Sequence, residues 1–153
     1  MQLTPRSLFR ISQVHPALKL ITLAAHLNYT RENPSLDFQI TEGIRTLEQQ
    51  KAYFKAGRTK TLDSFHLAQD DGFSHAVDVH ILHDGVLAWD WPLYATLSAY
   101  FKAAAEALTI PLVWGGDWRK FRDGPHYQIN RHWPLGDYEA LFQQQLLQSG
   151  YKP

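Results

Sequence analysis

No cysteine occurs in the 153-residue chain. That excludes disulfides, thiolate nucleophiles and Cys-type zinc sites together, so any metal must be held by His and carboxylate side chains. A dominant charge is also missing, because 15 Lys and Arg balance 15 Asp and Glu. A basic face for a nucleic-acid duplex is therefore not expected, although a local patch for an anionic polymer stays open. No apolar run reaches membrane-spanning length, so no stable membrane insertion is expected. Residues 1–30 carry Arg6, Arg10 and Lys19, with His15-Pro16 interrupting the apolar stretch, which is not a signal-peptide pattern. Repeats, low-complexity tracts and Pro/Gly/Ser linkers are absent too. With 44% hydrophobic and 20% charged residues, 1–153 reads as one soluble domain around one core.

What is present is a chain of short elements. A helix is predicted over Pro5–Ile11 and a second from His15-Pro16, with Leu20, Leu23, Ala24 and Leu27 at helical spacing. Leu36-Asp37-Phe38-Gln39-Ile40 alternates as a half-buried strand does. Thr46-Leu47-Glu48-Gln49 reads as a capping box opening a helix to about Ala56, ended by Gly57. Arg58–Ser74 has neither period and reads as loop. A strand follows at Ala76–Leu82, a turn at Asp84-Gly85, a helix over Pro92–Leu108, short strands at Pro111–Trp114 and His126–Ile129, and a helix over Asp137–Gln148. Helices flanking a small, mainly antiparallel sheet make an α+β domain, with the polar face of the sheet free for a site.

Two strands share one division. In Ala76–Ile81, Val77, Val79 and Ile81 take one face while Asp78 and His80 take the other. In His126–Ile129, Tyr127 and Ile129 oppose His126 and Gln128. Asp78 alone reads equally well as a solvated edge-strand residue, and a lone His beside a strand is usually structural. With His66 from the preceding loop, however, His66, Asp78 and His126 supply two imidazoles and a carboxylate. Such a set leaves a fourth tetrahedral position for water, as in catalytic zinc sites. Asp123, tied to His126 by Gly124-Pro125, is the candidate proton-transferring base, or else a turn-stabilising Asp. Eight histidines offer many triples, so spacing alone decides little.

The ordered combination Ser64-Phe65-His66-Leu67, His75-Ala76-Val77-Asp78, Trp114-Gly115-Gly116-Asp117-Trp118 and Phe121-Arg122-Asp123-Gly124-Pro125-His126-Tyr127 resembles the M15 family of zinc peptidases. The closest branch is that of the phage L-alanyl-D-glutamate endopeptidases, relatives of D-alanyl-D-alanine carboxypeptidases. The resemblance runs from about Val14 to Ile129. It implies Zn2+ held by His66, Asp78 and His126, with Asp123 as base. Arg45, in Gly43-Ile44-Arg45-Thr46, would contact substrate or the developing oxyanion; its bland alternative is a surface residue near a helix start. Ser64 and Trp114 are expected on the substrate side, with most of the five tryptophans in the core.

The implied activity is hydrolysis of peptidoglycan stem peptides, at the L-Ala–D-Glu bond, by an endolysin causing host lysis. The alternatives are a D-Ala-D-Ala carboxypeptidase and an inactive wall-binding domain. A single peptidase domain without a wall-binding module is expected, acting as a monomer. It would be made in the host cytoplasm and reach the periplasm or wall through a holin-type pore. The sequence departs from the family pattern at Ala68–Ser74, which lengthens the interval between His66 and Asp78. Gln69–Phe73 could form an outward flap, with Asp70 and Asp71 as solvated carboxylates and Gly72 at an unusual backbone angle. His75 and His80 are the internal competitors of His66; His80, on the face of Asp78, could instead orient a ligand.

Overall fold

The computed structural model describes residues 2–129. The elements run α1 (Pro5–Ile11), α2 (Pro16–Glu32), β1 (Leu36–Glu42), α3 (Leu47–Lys55), β2 (Ala76–His83), β3 (Val86–Ala88), α4 (Trp91–Ala107), β4 (Leu112–Trp114), a 3-10 turn (Gly115–Asp117) and β5 (His126–Ile129). The helix expected over 137–148 lies outside the described residues.

Local chemistry starts each helix. The Thr4 hydroxyl accepts the Ser7 N–H ahead of α1, and the His15 ring accepts the Ala17 N–H ahead of α2. Thr46 and Gln49 form the reciprocal capping box of α3. Each of α1, α2 and α4 has proline in its first turn, where the missing N–H leaves no helical bond unmade.

The strands pair antiparallel throughout in the order β1-β2-β5-β4, with β3 added to β2 as a short hairpin strand. That hairpin partner, Val86–Ala88, was not anticipated; three residues are too few to show a period. One face of the sheet meets α2 and α4. Leu18, Ile21 and Tyr29 of α2 and Leu97 and Phe101 of α4 close over Phe38, Val79, Ile81 and Tyr127. Burying each such aliphatic side chain contributes roughly 1.5–3 kcal/mol.

β1 departs from the half-buried expectation, since Leu36 through Ile40 are all buried. Its polar side chains are satisfied internally. Gln39 Oε1 accepts from the Ser7 hydroxyl at 2.8 Å and from the Thr4 N–H at 2.9 Å, and Asp37 meets His26 Nε2 at 2.7 Å. α1 covers the face that alternation assigned to water.

The long loop is tied to the junction of α1 and α2: the Ser74 N–H donates to the Gln13 carbonyl at 3.1 Å, and the Ser74 carbonyl accepts the His15 N–H at 2.9 Å. Gly72 takes a φ of +81°, the unusual backbone angle expected there. Asp70 is exposed, but Asp71 is not a solvated carboxylate: it turns inward, and its Oδ2 lies 2.6 Å from His75 Nε2.

Gly43, just past β1, lies against the end of α1. A Cβ there would fall 2.4 Å from the Arg10 carbonyl oxygen. Gly43→Ala is expected to lower stability by about 1–3 kcal/mol, as overpacked sites do, read from the midpoint of urea unfolding. An unchanged midpoint would show that α1 moves aside freely.

Candidate functional site

Strand register builds the site. On adjacent antiparallel strands Asp78 of β2 sits directly opposite His126 of β5, so both side chains leave the same face. On the other side of β2, the ladder shifts between Ile40 and Glu42. Glu42, not Thr41, therefore pairs with Asp78. The row Glu42, Asp78, His126 thus crosses three strands. His66 arrives from the loop, locked by three backbone contacts. Its carbonyl accepts the Arg45 N–H at 2.8 Å, its own N–H donates to the Ser64 hydroxyl at 3.2 Å, and the neighbouring Phe65 carbonyl accepts the His75 N–H at 2.9 Å.

The three potential ligand atoms converge. His66 Nε2 lies 3.2 Å from Asp78 Oδ1 and 3.3 Å from His126 Nδ1, and the latter lies 3.0 Å from Asp78 Oδ1. Those separations are close to the edge of a tetrahedron with bonds of about 2.0–2.1 Å, which is about 3.3–3.4 Å. The outer nitrogens decide the tautomers. His66 Nδ1 faces the Gly43 carbonyl oxygen at 2.7 Å, and His126 Nε2 faces Gln128 Oε1 at 2.8 Å. Both oxygens demand a donor, so each neutral ring carries its proton outward and turns a lone pair inward. Two lone pairs and a carboxylate oxygen at these distances repel unless a cation or a shared proton lies between them. The donor set fits a divalent metal ion.

A proton on an inner nitrogen would answer the same repulsion as a cation, and the acidities show that pull. Burial alone would raise the Asp78 carboxyl, but the charge of His66 and hydrogen bonds with His126 and His66 outweigh it and hold Asp78 well below the carboxylate range. Burial likewise opposes a charge on His126, yet Asp78 raises it above the usual histidine value. Asp123 is pushed up, first by burial and then by Asp78. It lines, with Asp78, a cleft of about 320 Å³. Its main-chain N–H donates to the Gly115 carbonyl at 3.0 Å. A Cβ on Gly115 would come within 2.5 Å of the Asp123 carbonyl oxygen, so the approach needs glycine.

Arg45 is 10% exposed, with Nε donating to Glu42 Oε1 at 2.8 Å, Nη2 to Glu42 Oε2 and Nη1 to Gln50 Oε1 at 2.7 Å. Ser64 is buried at the turn that holds His66. Trp114 is buried in the core, its indole N–H donating to the Gly124 carbonyl at 2.7 Å, and does not line the cleft. Trp89, 65% exposed, does line it, as do Tyr53 and Arg58. Sequence reasoning assigned most of the tryptophans to the core and passed over Tyr53 and Arg58, because lone residues within and after a helix carry no periodic signal. His80 lines the cleft but stands outside the converging group.

His75 belongs to a second group, with His15 and Asp71. There the His15 Nδ1 accepts the Ala17 N–H at 3.1 Å, so the neutral ring carries its proton on Nε2, 3.8 Å from Asp71 Oδ2. That nitrogen is a donor. The second group is built as a hydrogen-bonded clasp on the lengthened loop, and only the first converges as acceptors.

Residues 1–133 match the family model of the phage L-alanyl-D-glutamate peptidases. The peptidoglycan L-alanyl-D-glutamate endopeptidase CwlK of Bacillus subtilis (strain 168) is 31% identical over 126 residues, covering 77% of this chain and 74% of that protein. The L-alanyl-D-glutamate peptidase of Listeria phage A118 is 35% identical over 99 residues, 65% of this chain but 32% of that longer protein. The crystal structure of the Serratia marcescens L-Ala D-Glu endopeptidase ChiX superposes with a TM-score of 0.72 at 34% identity, covering 84% of this chain and 90% of that one.

Replacing Gln128 with Leu removes the acceptor that orients His126. In competition with a chelator, Zn2+ affinity is expected to fall about 10–100-fold. His66→Ala should abolish stoichiometric binding and His75→Ala should spare it. Loss of the ion from His75→Ala alone would point to the other cluster.

Proposed function

The chain belongs to the phage L-alanyl-D-glutamate peptidase family, and we propose that it cleaves the amide between L-Ala and D-Glu in peptidoglycan stem peptides, using one Zn2+ held by His66, Asp78 and His126. The observation that carries this reading is the convergence of His66 Nε2, His126 Nδ1 and Asp78 Oδ1, with the outer ring nitrogens facing oxygens of Gly43 and Gln128. The names of CwlK, ChiX and the phage relative support the same bond.

Bound there, the ion would supply a Lewis acid that acidifies a water molecule and polarises the scissile carbonyl. The remaining work falls to side chains. Asp123 takes the proton of the attacking water as its oxygen bonds to the L-Ala carbonyl carbon. It then returns that proton to the D-Glu nitrogen as the C–N bond breaks, leaving an L-Ala carboxyl group and a free D-Glu amine; the carboxyl's remaining proton passes to the amine or to solvent. The raised Asp123 carboxyl suits a group that must both accept and give back a proton. Arg45 spends three of its N–H groups on Glu42 and Gln50. The other two of a guanidinium's five can hydrogen-bond the carbonyl oxygen as charge develops on it. Glu42 and Gln50 keep the fork in one orientation, so little reorganisation accompanies the step.

The biological role would be host lysis, as an endolysin released from the host cytoplasm to the cell wall through a holin-type pore. No helix among the described residues is long and apolar enough to cross a membrane.

Digestion of purified cell walls should release stem peptides with new D-Glu amino termini while glycan strands stay intact. Free D-Ala as the sole product would move the activity to the carboxypeptidase branch. Asp123→Asn should keep stoichiometric zinc and lose about 10²–10⁴-fold in kcat. Activity near wild type in that variant would place the base elsewhere.

A further inference from the structure

The substrate of the proposed reaction carries a charge of its own. Glutamate has two carboxyl groups, and only one can continue the stem. Whichever does, the other is left free a few bonds from the nitrogen released on cleavage, and at neutral pH it is an anion. The cleft it must enter is lined by the carboxylates of Glu42, Asp78 and Asp123. Arg45 already balances Glu42, and the histidines with the ion would balance Asp78, so the substrate's own anion calls for a further cation.

Among the described residues lining the cleft, Arg58 is the one Lys or Arg. It follows Gly57, whose φ of +72° ends α3, and its N–H donates to the Tyr53 carbonyl at 2.9 Å. The main chain beneath it is therefore fixed. Its guanidinium lies 4.2 Å from the centroid of the Tyr53 ring, which Arg45 also approaches, at 4.8 Å. The two guanidinium groups are not equivalent. Arg45 is neutralised by Glu42, whereas Arg58 has no carboxylate partner among the described residues and is exposed. A planar cation steadied on an aromatic face, with its donors free at a cleft, is suited to forked recognition of a carboxylate.

We infer that Arg58 is the specificity residue of the site, receiving the free carboxylate of the substrate's D-Glu residue while Tyr53 supports its guanidinium. This rests on the cleavage proposed above. It divides the cationic work: Arg45 serves the reacting carbonyl, and Arg58 reads the residue on its leaving side.

The test uses the full chain loaded with zinc and two synthetic stem peptides. One contains L-Ala-D-Glu with the second carboxyl free, and the other has that carboxyl converted to the carboxamide. Wild type should prefer the acid in kcat/KM by about 10–100-fold, the range of a charge-assisted hydrogen bond. Arg58→Gln should reduce the acid to the level of the amide, mainly through KM, while kcat, zinc content and Tm stay close to wild type. Arg58→Lys, which keeps the charge and loses the fork, should retain part of the preference. An undiminished acid preference in Arg58→Gln, an equal loss on both peptides, or no preference in wild type would each overturn the assignment while leaving the proposed cleavage intact. Failure of both peptides to yield a new amino terminus at this residue would overturn the proposed cleavage, and the role of Arg58 with it.

Discussion

The pairing of Asp78 with His126 across β2 and β5 is the constraint on which the rest of the site hangs. Antiparallel register leaves no freedom: a slip of one residue would turn both side chains into the core and bring Val77 or Tyr127 to the polar face. Register is held by that same core, since Val77, Val79, Ile81 and Tyr127 are fully buried beneath α2 and α4. Hydrophobic burial on one face thus sets chemical geometry on the other. The ladder shift at the end of β1 extends the row to Glu42, and Gly43 follows within reach of His66.

Proximity of histidine and aspartate does not by itself make a metal site, as the two clusters in this molecule illustrate. Both contain two buried imidazoles and one carboxylate. They differ in where the second nitrogen of each ring goes. Around His66 and His126 the outer nitrogens face carbonyl oxygens and must donate, which bares the inner ones. At His15 the outer nitrogen is an acceptor for the Ala17 N–H that caps α2, which places the proton on the inner side. One local duty, helix capping, removes His15 from metal binding. The cluster it joins instead ties the lengthened loop through Asp71 to the start of β2.

Tyr53, at the cleft, has the guanidinium groups of both Arg45 and Arg58 over its ring. It projects from α3, whose capping box at Thr46 sets the helix start directly after Arg45, and whose end at Gly57 presents Arg58. One short helix therefore delivers Arg45 before it, Tyr53 within it and Arg58 after it. Gln50, fully buried on the same helix, connects Arg45 to the Thr61 carbonyl of the loop leading to His66. Gln50 is a buried strut in the fold, which nothing in its local sequence marks.

Most elements were legible in the sequence because they rest on local rules: proline and Thr at helix starts, the Thr46 capping box, and period-two alternation in β2. The same alternation marked Asp78, His126 and Gln128 as sharing a polar face. His66 was one of several candidate histidines in and after the irregular loop, and the resemblance to zinc peptidases singled it out. What local rules could not decide is anything that depends on a second element. β1 alternates like a half-exposed strand, yet α1 covers its outer face, so Asp37 and Gln39 are buried. Trp114 and Trp89 look alike in sequence, but packing sends one into the core and leaves the other at the cleft. Asp71 sits in a polar turn that reads as solvent-facing, and His75 draws it inward. The physical reason is common to all three. A side chain's period and capping are set by its own backbone, whereas its burial, tautomer and charge partner are set by residues tens of positions away that only the folded chain brings within hydrogen-bonding distance.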